Sequence, residues 1–143
     1  MFAVGSSFDP QLRRDGVFDT AVLTIRYKDG SQSCHSARRA SAFGYDQRVE
    51  LITNGELIAA ENVFDSSAVH CSSSGISSLG KMSFSFPDRY AVAYRREIDH
   101  FASMAHHFDV QPLVSCEHNI LVALVCDAAL KSAQTNQSQR IVF

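Results

Sequence analysis

The segment FGYDQRVELITNGELIAAE, Phe43 to Glu61, decides how this chain folds. An aromatic-Gly-Tyr-Asp turn leads into a β-prone run, Gln47 to Ile52, which breaks at Asn54-Gly55 and resumes from Glu56 to Ala60. Asn-Gly between two such runs is a strong hairpin signal, because both residues tolerate the positive φ of a type I′ turn. A tyrosine directly after Gly44, at a strand entrance, can offer its hydroxyl to a cleft while its ring packs beneath.

Toward the N-terminus, Thr20, Val22, Thr24 and Arg26 alternate with Ala21, Leu23, Ile25 and Tyr27. That period of two predicts a half-buried strand over Val17 to Tyr27. Asp29-Gly30 then turns the chain, so Ser31 to about Arg39 returns antiparallel. Four strands joined by Asp-Gly and Asn-Gly turns predict a meander with one polar and one buried face. Its outer positions, Thr20, Thr24 and Gln47, leave a flat surface. Arg39, near its strand end, suits a charge that blunts edge pairing. Before Val17, a short apolar start at Phe2 and Val4 leads into an irregular segment bracketed by Asp9-Pro10 and Asp15-Gly16.

Toward the C-terminus, the serine-rich Ser66 to Ser83 reads as a surface loop with a short strand near Val69. Met82, Phe84 and Phe86 alternate with serines and predict one more short strand running into Pro87. From Asp88 to about His107, Tyr94, Ile98, Phe101 and Ala105 form one apolar helical stripe. Ser115 is a candidate N-cap, with Glu117 in the first turn, for a second helix from about Cys116 to Gln134. That helix is apolar on most sides and is expected to be the more deeply buried. Thr135 to Gln139 releases the chain into a last edge strand, Ile141 to Phe143. The expected class is α+β, a mainly antiparallel sheet with helices packed on one face, in one domain over 1–143.

The chain has 143 residues and a formal net charge of −2, which gives no electrostatic case for nucleic acid. Its N-terminus lacks the basic and apolar regions of a signal peptide. The apolar window Ile120 to Leu130 contains Asp127 and falls short of the ~20 residues of a membrane span. Cys34, Cys71, Cys116 and Cys126 are far apart without a Cys-x-x-Cys, as expected of reduced thiols in the cytoplasm. Cys34-His35, His70-Cys71 and Cys116 with His118 invite a metal reading. Adjacent strand residues point to opposite faces, however, so no metal site is expected. Neither G-x-S-x-G nor G-x-G-x-x-G occurs, so no nucleophile elbow and no cofactor-binding residues are assigned.

Phe43-Gly-Tyr-Asp-Gln-Arg-x-Glu resembles the sheet domain of inositol 2-dehydrogenases in the glucose–fructose oxidoreductase/inositol dehydrogenase (Gfo/Idh/MocA) family. Three further segments resemble that family in order: Asp19-Thr20-Ala21 with Asp29-Gly30, Phe86 to Ile98 with its Arg-Tyr-x-x-Ala-Tyr-x-x-Glu pattern, and Ala128-Ala129-x-x-Ser132. The resemblance implies the C-terminal α+β domain of a protein whose Rossmann domain binds NAD or NADP and oxidises a cyclic polyol or sugar. It implies Tyr45 near the substrate pocket, with Tyr94 and Arg39 as further substrate-binding candidates. It also implies oligomers, or pairing with full-length relatives, through one sheet face. The family's Glu-Lys-Pro lysine and its Asp-x-x-x-His helix have no counterpart here, nor does the Rossmann domain. The expectation is therefore no catalytic residue, no cofactor in this chain, and a catalytically silent polypeptide. The alternative is a non-catalytic assembly module.

Overall fold

Residues 1–107 and 109–142 are described by a computed structural model of the protein. The chain divides into two compact units, Met1–Ala40 with Pro112–Phe143, and Ser41–Gln111.

The first unit holds a three-stranded antiparallel sheet of β1 (Phe2–Ser6), β2 (Thr20–Arg26) and β3 (Gln32–Arg38), in that order. A five-residue helix, α1 (Pro10–Arg14), links β1 to β2 and is capped by the Asp9 carboxylate on the Gln11 and Leu12 amides. The apolar start at Phe2 and Val4 is therefore a full strand, paired Val4 to Val22 and Ala3 to Leu23. Asp29-Gly30 turns as expected: Gly30 takes φ 90°, and the Asp29 carboxylate accepts from the Ser31 amide and hydroxyl.

The helix α4 (Cys116–Thr135) packs against β1. Ser115 caps it, accepting from the His118 amide at 3.3 Å, and Asn136 ends it with φ 54° in the left-handed region. Its more covered residues, Leu121, Val125, Ala128, Ala129 and Ser132, follow helical spacing. Other apolar residues, Ile120 and Val122 among them, face outward. Ser132 is fully buried: its hydroxyl accepts from the Ala3 amide at 2.9 Å and donates to the Gln137 carbonyl at 2.7 Å. With Ala3 and Ile25 it makes the buried centre of this unit.

The second unit holds two hairpins and two helices. They are β4 (Val49–Ile52) with β5 (Leu57–Ala60), β6 (Val69–Ser72) with β7 (Gly75–Ser78), α2 (Phe86–Arg89) and α3 (Ala91–His106). Several expectations are corrected here. Asn54-Gly55 does turn a hairpin, but neither residue has positive φ, so the turn is not type I′. The Thr53 hydroxyl accepts from the Gly55 and Glu56 amides and sets the turn instead. Among the described residues, sheet pairing links no strand of one hairpin to another or to β3, so the expected four-strand meander is a three-stranded sheet and a separate hairpin. Gln47 lies outside any strand.

The serine-rich loop carries a complete hairpin. Met82 makes only an isolated bridge to Phe64, and Phe86 opens α2, so no strand runs into Pro87. The single helix expected from Asp88 is broken at Tyr90 into α2 and α3. Its apolar stripe is uncovered, with Ile98 and Phe101 more than two-thirds exposed. Ile141 and Val142 form no strand, and Phe143 lies outside the described residues. Among the described residues of this unit, only Gly44 is buried.

Candidate functional site

The turn that carries Tyr45 is built from both ends of its unit. Gly44 adopts φ 125°, and a Cβ there would sit 2.9 Å from the Met82 Cβ and 3.1 Å from the Ser83 carbonyl. Only glycine fits both constraints. The Tyr45 amide donates to that same Ser83 carbonyl at 2.8 Å. Its half-buried ring then lies beside two aromatic residues of the helical segment. Phe86 is 6.5 Å away between ring centroids, and Tyr90 is 5.7 Å away at 85°. Tyr90 in turn meets Tyr94 edge-on at 6.4 Å and 86°. Edge-to-face contacts of this kind suit the aromatic quadrupole. Two of the three expected substrate residues, Tyr45 and Tyr94, thus belong to one aromatic row joined through Tyr90.

Arg39 is not part of that row. It belongs to the other unit, where its amide donates to the Asp19 carbonyl at 2.8 Å. There it lines an open depression of about 440 Å³ with Phe8, Asp9, Leu12, Asp19 and Arg38. The Asp19 carboxylate is shifted down chiefly by the Asp9 backbone amide, with the Thr20 hydroxyl and the Phe8 amide adding to it.

After Tyr45 the chain is held by a polar knot that the sequence did not announce. Arg48 grips Asp46 with both arms, Nε to Oδ1 at 2.8 Å and Nη2 to Oδ2 at 2.9 Å. Asn62 donates to Asp46 Oδ1 and accepts from the Gln47 amide at 2.9 Å. Arg89, on α2, donates from Nη2 to the Gln47 carbonyl at 3.1 Å. The Arg48 hydrogen bond first, and that of Asn62 second, hold the Asp46 carboxyl below its ordinary range. Arg48 is the one of these whose proximity along the chain could have suggested the pairing. Asn62 and Arg89 lie too far along it to leave a local signal.

Asp19, Asp29, Asp46 and Glu117 all have pKa values shifted downward by hydrogen bonds. These carboxylates are fixed as ions, the opposite of an acid or base poised near neutrality. Among the described residues no group of His, Cys, Asp and Glu could hold a metal ion. Cys34, Cys71, Cys116 and Cys126 are free and exposed. All strand pairings among the described residues are antiparallel, and no G-x-G-x-x-G turn follows a strand. The residues present therefore do not fit the pyrophosphate of a dinucleotide. No helix among them is long and apolar enough to cross a membrane.

No family model matches the chain. Myo-inositol 2-dehydrogenase of Thermotoga maritima is 30% identical over 142 residues, covering 99% of this chain and 42% of that protein. Inositol 2-dehydrogenase of Rhizobium meliloti is 29% identical over 118 residues, covering 82% of this chain and 35% of its own length. A solved structure of a probable dehydrogenase from Thermotoga maritima superposes with a TM-score of 0.88 at 30% identity, over 95% of this chain and 40% of that one. The chain is a homologue of the inositol 2-dehydrogenases of the Gfo/Idh/MocA family. As such a homologue it has the α+β, antiparallel architecture of its structural neighbours. It spans about two-fifths of the length of the Thermotoga relative.

Proposed function

We propose that this chain is the C-terminal scaffold of an NAD(P)-dependent oxidoreductase of the inositol 2-dehydrogenase type, a cytoplasmic protein acting on a cyclic polyol or sugar. By itself this stretch of 143 residues, read as a single partial domain, neither binds nicotinamide cofactor nor turns over substrate. The observation that carries this reading is the continuous similarity to myo-inositol 2-dehydrogenase over 99% of the chain.

The aromatic row supports the substrate class. Tyr45, Tyr90 and Tyr94 each combine an apolar ring with a hydroxyl, a pairing suited to a ring-shaped ligand with C–H faces and a hydroxyl rim. Tyr45 and Tyr94 are assigned to bind it, and Arg39 is the third candidate. Hydride transfer needs donor and acceptor held roughly 3–3.5 Å apart by a preorganised site. The described residues supply no dinucleotide cradle, and the carboxylates of Asp19, Asp29, Asp46 and Glu117 are held as ions. The test is NADH formation by the purified chain with myo-inositol and NAD. None is expected, and measurable turnover overturns the reading.

A second reading, an assembly module that forms homo-oligomers or joins full-length relatives, is favoured by exposed area. The chain exposes 11926 Å², whereas even two separate compact bodies of half its mass would expose only about 8,800 Å². Stable association needs roughly 800 Å² per partner. Val4 and its register partner Val22, with Phe2 on the same face, replace the polar outer surface expected from Thr20 and Thr24 alone. Light scattering on a sizing column should find oligomers at micromolar concentration; a stable monomer counts against assembly.

A further inference from the structure

We propose that Asn62 is a positioning residue for Tyr45, acting with Arg89 as a two-sided clamp on the Gly44-to-Arg48 turn; the role rests on Tyr45 contacting a cyclic polyol. Among the described residues, the side chain of Asn62 alone engages two successive residues of the turn, the Asp46 carboxylate and the Gln47 amide. Arg89 takes the carbonyl of the same Gln47. The peptide units on both sides of Gln47 are thereby fixed from outside the turn, one by the segment after β5 and the other by α2.

Tyr45 is two residues away and has its own amide tied to Ser83. With Gly44 wedged against Met82, the turn has little freedom left. The clamp also ties the two walls of the aromatic row together. Arg89 precedes Tyr90 directly and lies 5.9 Å from its ring centroid, so the residue that grips Gln47 also borders the ring facing Tyr45. Loss of either grip should let the Tyr45 ring swing relative to Tyr90. A polyol held by hydroxyl contacts is sensitive to such a shift, since displacement of about 1 Å can cost up to a hundredfold in a preorganised site.

The test uses the full chain labelled with 3-fluorotyrosine and read by ¹⁹F NMR. Tyr94, on α3, reports whether residues 41–111 stay folded, and Tyr27 reports the other unit. Asn62→Ala should move or broaden the Tyr45 resonance while Tyr94 and Tyr27 stay in place; an unmoved Tyr45 signal overturns the proposal.

Asn62→Asp is the second variant, in case alanine unfolds the unit. It keeps an acceptor for the Gln47 amide but sets a second carboxylate against Asp46, whose charged neighbours are Arg48 and Arg89. The acid-range movement of the Tyr45 resonance should then begin at higher pH than in wild type, and a titration unchanged from wild type overturns the clamp. Titrating myo-inositol separates the two claims. A Tyr45 shift in wild type, with roughly tenfold to a hundredfold weaker binding by Asn62→Ala, supports both. Absence of any shift overturns the contact reading, and with it the functional role of Asn62, while the apo spectra still decide the clamp.

Discussion

Around Ser132, in the unit of residues 1–40 and 112–143, order comes from burial. A hydroxyl with no exposure joins a strand edge to the segment after α4, beside Ala3 and Ile25. Around Tyr45, in residues 41–111, Gly44 alone is buried among the described residues. Order there comes from charge-assisted hydrogen bonds and edge-on rings. Hydrogen bonds between exposed groups add little net stability, because water competes for both partners. The second unit therefore has geometry in excess of cohesion.

The sharpest way to break this contrast is Gly44→Ala. A methyl group at φ 125° and 2.9 Å from the Met82 Cβ is expected to cost roughly 2–5 kcal/mol. Urea unfolding followed through the Tyr45 resonance should show the loss confined to residues 41–111, with Tyr27 little changed. Equal destabilisation of both units would mean that they are not separate in stability.

Ser132→Ala comes next. It leaves the Ala3 amide buried without its acceptor, at an expected cost of roughly 1–3 kcal/mol. The same unfolding measurement should now report the loss at Tyr27.

The smallest effect is acid sensitivity. The Asp46 pKa is depressed in the folded state, first by Arg48 and then by Asn62. Its contribution is therefore present above the unfolded value of about 3.9 and fades as pH falls through the lower folded value. Acid titration should loosen the turn below about pH 4, and Asp46→Asn should flatten that dependence.

The features legible in the sequence are those whose causes lie within a few residues. The alternation in Thr20–Tyr27, the Asp29-Gly30 turn, the Ser115 cap and the length of α4 all depend on neighbours along the chain. Even the Asn54-Gly55 hairpin was legible in position, although the Thr53 hydroxyl displaced the expected turn type. Burial was not legible in this way. The Tyr94-Ile98-Phe101 stripe has the period of a core-facing helix, yet its residues are largely exposed among the described residues. Periodicity records which face a helix would bury, not whether the covering element is in the same chain.

The site divides along the same line. Tyr45 announced itself through Gly44, whereas Asn62 reaches Asp46 across 16 positions and had no pattern to betray it. Arg39 was a candidate through the family resemblance alone, and the structure places it in the other unit.

The three-stranded sheet also has two unlike edges. The Ser132 hydroxyl and the backbone of Gln139 already occupy the outer rim of β1. Opposite it, β3 pairs with β2 alone among the described residues and has no proline along its seven positions. Within this unit, Gln32–Arg38 is therefore the sheet edge without a paired strand among the described residues.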